Sequence, residues 1–81
     1  MLKIYGSTLC PDCVNCCREL KDANVEFEYC DFGESLLYLK EFLKLRDECE
    51  AFAESRAGGK IGIPCILRPD GSVTLDWNEF L

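Results

Sequence analysis

The sequence predicts an α/β fold, one domain over residues 1–81, and three observations carry that reading. A short apolar strand, a helix and a second strand follow one another within residues 2–31. A longer stretch of helical periodicity fills the middle of the chain, and two β-prone segments flank a Pro-Asp-Gly-Ser turn near its end.

Leu2 to Tyr5 is apolar and partly β-branched, and Gly6-Ser7 interrupts it, which is the pattern of a buried strand. The helix that follows runs from about Pro11 to Ala23, with Leu20 continuing its apolar face and Asn24 ending it. Val25 to Asp31 is the second strand, with Val25, Phe27 and Tyr29 alternating against Glu26, Glu28 and Cys30. Ser35 is suited to cap the next helix, and apolar residues recur at broadly helical spacing from Leu36 to about Ala57, where Gly58-Gly59 stops them. That helix is long for so small a domain, and Asp47 followed by Glu50 has the form of a fresh N-cap, so a break is expected near Arg46-Asp47. Pro64 cannot donate to a ladder, which starts the third strand at about Cys65 and runs it to Arg68. Pro69-Asp70-Gly71-Ser72 is a hairpin signal, Val73 to Trp77 the returning strand, and Asn78 to Leu81 have room for one helical turn at most.

At 81 residues and 48% hydrophobic, the chain suffices for a single core. Its net charge of −6 argues against nucleic acid and anionic membrane surfaces as partners, since both require basic patches. Seven cysteines would suggest a disulfide framework in a secreted chain. The opening Met1-Leu2-Lys3-Ile4-Tyr5 has neither a charged n-region with a long apolar run nor the length of a membrane span, so a cytoplasmic, reducing setting is expected.

The chemistry concentrates in Thr8-Leu9-Cys10-Pro11-Asp12-Cys13, where the first strand has ended and a helix begins. Proline suits the first helical position, which places Cys10 at the N-cap. Unpaired amides and the positive end of the helix dipole favour an anion there, so Cys10 is expected as the thiolate and attacking sulfur. Cys13, about one turn further in, is within reach for a disulfide and is expected to resolve it. Asp12 opposes the anion with its own charge, and the amides are expected to outweigh it. No histidine occurs in the chain, so activation of Cys10 has to come from the helix.

With these residues in place the chain resembles a glutaredoxin of the thioredoxin superfamily over nearly its whole length. The resemblance rests on Ile4-Tyr5, Cys10-Pro11-Asp12-Cys13, the apolar helix after them, and Ile63-Pro64 ahead of the third strand. It implies a thioredoxin-like, three-layer sandwich with a four-stranded mixed sheet in order 2-1-3-4 and flanking helices. It further implies a cis Pro64 facing the cysteines, with the backbone of Ile63 free to pair with an extended peptide or with glutathione. On this resemblance Cys10 attacks a protein disulfide or a glutathione mixed disulfide, and Cys13 or a second glutathione releases the product. Ile63, Pro64, Lys60, Pro11 and Asp12 are the implied substrate-binding residues. The chain is then a monomer with no bound cofactor, taking glutathione as co-substrate and electron donor, with a thioredoxin reductase as the alternative donor.

Three departures from the family pattern are visible. Asp12 stands where an aromatic is common, Ser7-Thr8-Leu9 lacks a basic residue before the first cysteine, and Thr74-Leu75-Asp76-Trp77 replaces a Gly-Gly pair that helps hold a glutathione carboxylate. Lys60 remains as one cation for that role.

Among the other cysteines, Cys16 reads as a small core residue and Cys17 as a partly exposed one able to resolve an oxidised Cys13 or bind a soft metal. Cys65 reads as a core residue at the start of a strand, or else as a third thiol beside Cys10 and Cys13. Cys30 and Cys49 read as a strand and a helix core cysteine, the charges of Asp47, Glu48, Glu50, Glu54 and Arg56 as a solvated helix face, and Phe42, Phe52 and Trp77 as packing. Besides the oxidoreductase, the dense thiols leave open a metal or iron–sulfur module and a non-catalytic redox adaptor.

Overall fold

A computed structural model describes residues 1–81. Its four strands, β1 (Leu2–Gly6), β2 (Phe27–Asp31), β3 (Cys65–Leu67) and β4 (Val73–Thr74), form one sheet in the order β2-β1-β3-β4. β1 runs parallel to β2 and antiparallel to β3, and β3 is antiparallel to β4, so the sheet is mixed. Three α-helices accompany it, α1 (Pro11–Asp22), α2 (Leu36–Glu48) and α3 (Ala53–Ala57), with 3-10 turns at Glu50–Phe52 and Trp77–Phe80.

The two-residue period of the strands divides the core into two layers of side chains. Leu2 and Ile4 of β1 and Ile66 of β3 meet Cys16 and Leu20 of α1 on one face. Tyr5 and Cys65 turn to the other face, where Cys30, Phe42 of α2 and Phe52 complete a second cluster. Phe42 packs edge-on against Phe52 with ring centroids 5.7 Å apart. Helices therefore cover both faces of the sheet. No helix is long and apolar enough to cross a membrane.

Local signals set most element ends. The hydroxyl of Ser35 accepts a hydrogen bond from the Leu37 N–H and caps α2. Asn24, at φ 59°, terminates the α1 segment in the left-handed region that asparagine tolerates. In the hairpin, the Asp70 carboxylate accepts from both the N–H and the hydroxyl of Ser72, and Gly71 takes φ 91°. The returning strand is shorter than its sequence suggests. The Asp76 carboxylate accepts from the Asn78 N–H and starts the final turn, while the Trp77 indole N–H donates to Glu19 of α1 at 2.8 Å.

The break in the long helical segment lies at Cys49, whose φ of −89° and ψ of 137° are extended, and not at Arg46-Asp47. Asp47 sits inside α2 and caps nothing. Arg56 explains the displacement: its guanidinium donates to the Arg46 carbonyl, an acceptor that the end of α2 leaves open, and also to the Cys49 carbonyl, which already accepts from the Phe52 N–H. Arg56 is thus a brace across the break, where the sequence suggested a solvated charge. Replacing Ser35 by alanine should cost about 1 kcal/mol of stability in urea unfolding, whereas Asp47→Ala, an exposed site, should stay within about 0.5 kcal/mol.

Candidate functional site

The start of α1 lies just beyond the end of β1, and a tight turn joins them. The Ser7 hydroxyl accepts from the Leu9 N–H at 3.1 Å, and the Ser7 carbonyl accepts from the Cys10 N–H at 3.0 Å. Cys10 is the N-cap, with extended backbone angles of −95° and 117°, and its carbonyl already accepts from the Val14 N–H. Pro11 opens the helix as the sequence predicts. Cys10 is thereby left half-buried at the positive end of a twelve-residue helix.

Cys13 sits one turn deeper and is completely buried, 0% exposed. Burial is the main reason its thiol is pushed up from the ordinary 9.0 to about 12, opposed by a hydrogen bond from the Ser7 backbone and reinforced by the hydrogen-bonded Cys10 sulfur. The two sulfurs therefore occupy unlike surroundings about one helical turn apart. Gly6, the last residue of β1, makes the burial possible. A Cβ there would stand 2.6 Å from the Cys13 sulfur and 3.3 Å from the Tyr29 hydroxyl.

Cys10 opens into a groove of about 670 Å³ whose opposite wall is the segment Gly59–Pro64. Lys60, Ile63 and Pro64, three of the residues the sequence nominated, line it together with Leu9 and Leu75. The Ile63–Pro64 peptide is cis, and the Ile63 main chain takes no part in backbone pairing. Leu75 follows β4 into the groove wall, in the region where the expected Gly-Gly pair is missing. Pro11 and Asp12 are exposed at the helix start and lie outside this lining.

Arg46 holds the far wall in place. Its guanidinium donates to the Ile61 carbonyl at 2.9 Å and to the Lys60 carbonyl at 2.6 Å. Gly62 adopts φ 90° against Phe52, whose ring atom a Cβ would approach to 2.8 Å. Sequence reasoning missed Arg46, Ser7 and Gly6 as parts of the site. Of the three, only Ser7 carried a local signal, a hydroxyl residue directly after a strand.

The remaining thiols disperse. Cys16 is buried with Leu20 and Ile66 as a core residue. Cys65 is buried on the opposite face with Tyr5 and Phe52, so it does not form a third thiol beside Cys10 and Cys13. Cys30 lies in that same second cluster, and Cys49 is half-buried at the end of α2 rather than inside a helix core. Cys17 is half-buried on the side of α1 away from the groove. No three histidine, cysteine, aspartate or glutamate side chains converge into a set able to hold a metal ion.

An uncharacterized protein of Haemophilus influenzae is 37% identical to this chain over 76 residues, which span 94% of this chain and 88% of the relative. No family model matches the chain, and no solved structure matches it.

Four fully buried thiols carry a further consequence. Burial raises Cys13, Cys16 and Cys65 to about 12 and Cys30 to about 11, from 9.0 when exposed. Above pH 9 the unfolded chain loses these protons while the folded chain keeps them, so stability is fully present below pH 9 and falls as pH rises toward 11–12. Thermal melts of the reduced protein should show little change from these groups between about pH 6 and 8 and a steep decline above about pH 9.

Proposed function

We propose that this chain, which belongs to the same family as the Haemophilus influenzae protein, is a dithiol thiol–disulfide oxidoreductase of glutaredoxin type with a thioredoxin-like fold. The observation that carries the reading is the asymmetry of the sulfur pair. Cys10 faces an open groove from a helix start, and Cys13 waits beside it, buried and protonated.

In this mechanism the Cys10 thiolate attacks one sulfur of a substrate disulfide. The other sulfur leaves as a thiolate and takes a proton. Cys13 then gives up its proton and attacks the Cys10 sulfur, which forms the Cys10–Cys13 disulfide and releases the second substrate thiol. Two electrons have passed from the protein to the substrate. Two molecules of glutathione return the protein to the dithiol and leave as glutathione disulfide.

Burial serves the second step. A neutral Cys13 adds no negative charge beside the Cys10 thiolate, and its nucleophilicity is released once the mixed disulfide removes that charge. The groove supplies the docking surface. Main-chain groups of Ile63 accept an extended cysteinyl segment, and Lys60 is the cation for a substrate carboxylate. Glutathione mixed disulfides and protein disulfides both meet that description. A reducing cytosol is the setting in which the cycle runs in this direction.

The test is turnover of a small glutathione mixed disulfide with glutathione as donor, repeated with thioredoxin and its reductase system replacing glutathione. Cys10→Ser should reduce turnover at least about 100-fold, because the attacking sulfur is gone. Cys13→Ser should accumulate a mixed disulfide on Cys10, visible by mass spectrometry of the intact protein. Full activity in both variants would refute the mechanism.

A further inference from the structure

A second cavity, of about 500 Å³, lies between α1 and β2 on the side of α1 away from the groove. Val14, Cys17, Arg18 and Lys21 border it from α1, at spacings of three, four and seven residues that put them along one side of the helix. Phe27 and Tyr29 border it from β2, two residues apart and so on the same face of the sheet. Its volume falls within the range of roughly 300–1,000 Å³ that holds small organic molecules.

The charges there are unpaired. The chain contains one ion pair, Arg68 with Glu79, and neither Arg18 nor Lys21 donates a side-chain hydrogen bond to any group of the protein. In a molecule of net charge −6 this leaves two cations beside an apolar recess, with Val14 48% exposed at its rim. An aromatic floor with a pair of cations at one edge suits a flat apolar body that ends in a carboxylate.

We propose that this cavity binds small organic anions of that class, with the carboxylate at Arg18 and Lys21 and the apolar body against Val14, Phe27 and Tyr29. The site is separate from the Cys10 groove and holds whether or not the cysteines exchange disulfides. Its occupant would rest against the half-buried Cys17, with the fully buried Cys13 behind that wall.

Two probes of equal shape and opposite charge, 4-phenylbutyrate and 4-phenylbutylamine, distinguish the outcomes. In amide NMR titrations of the reduced protein, 4-phenylbutyrate should shift Val14, Arg18, Phe27 and Tyr29, and the amine should bind at least about tenfold more weakly. The exposed double substitution Arg18→Glu with Lys21→Glu should reverse that order while leaving the remaining spectrum in place. Equal affinity for the two probes would overturn the proposal. So would shifts confined to the Cys10 groove, no binding of the carboxylate at millimolar concentration, or an unchanged preference in the charge-reversed protein.

Discussion

The molecule's geometry turns on one close approach, the Cys13 sulfur lying against the backbone of Gly6. Any side chain at Gly6 would occupy the space that sulfur takes. Because the contact joins the end of β1 to the first turn of α1, it fixes where the helix begins relative to the sheet. The same contact buries one thiol and, a turn earlier along the helix, leaves the other at the surface. Two hydrogen bonds accepted by Ser7, one at its hydroxyl and one at its carbonyl, complete the arrangement by closing the turn between strand and helix. Each of these groups is small, and the difference in environment between two sulfurs three residues apart depends on that smallness.

The far wall of the groove is held by a different kind of interaction. The Gly59–Pro64 segment belongs to neither helix nor strand, so its carbonyls need partners from elsewhere. Arg46 supplies them at Lys60 and Ile61, and Arg56 in turn fastens the end of α2 from which Arg46 projects. Arg46 spans its two carbonyls with two different nitrogens of the guanidinium, a fork that a lysine's point charge would not reproduce. Phe52, packed under Gly62 and against Phe42, ties this wall to the core beneath the sheet. The far wall of the groove is therefore built from the second half of the chain, and the one thiol that faces it, Cys10, from the first.

Much of this was legible in the residue pattern because the signals were local. β1, α1 with Pro11 at its start, the Ser35 cap and the Asp70-Gly71 turn each follow from a few neighbouring residues. The order of strands came from a resemblance, and the sheet has that order. What escaped was decided by contacts distant in sequence. The helix break moved to Cys49 because Arg56, seven residues on, captures its carbonyl. The returning strand ended early because Asp76 and Trp77 found partners in a final turn and in α1. Cys65 had two faces open to it until its pairing with Tyr5 in the β1–β3 register put both side chains on the α2 face. Lys60, Ile63 and Pro64 fell into the groove as nominated, whereas Arg46 carried no local mark of its reach to Lys60 and Ile61.

The central claim is that a single cysteine of the seven is set out for reaction. Its most direct test is the order of alkylation of the reduced, folded protein by iodoacetamide at neutral pH, followed by peptide mass mapping over time. The account predicts that Cys10, set at the start of α1 and facing the groove, is modified first, at least about tenfold ahead of Cys17 and Cys49, which are as half-buried as it is, with Cys13, Cys16, Cys30 and Cys65 protected until the protein unfolds. Modification of Cys17, Cys49 or Cys13 as fast as Cys10 would contradict it.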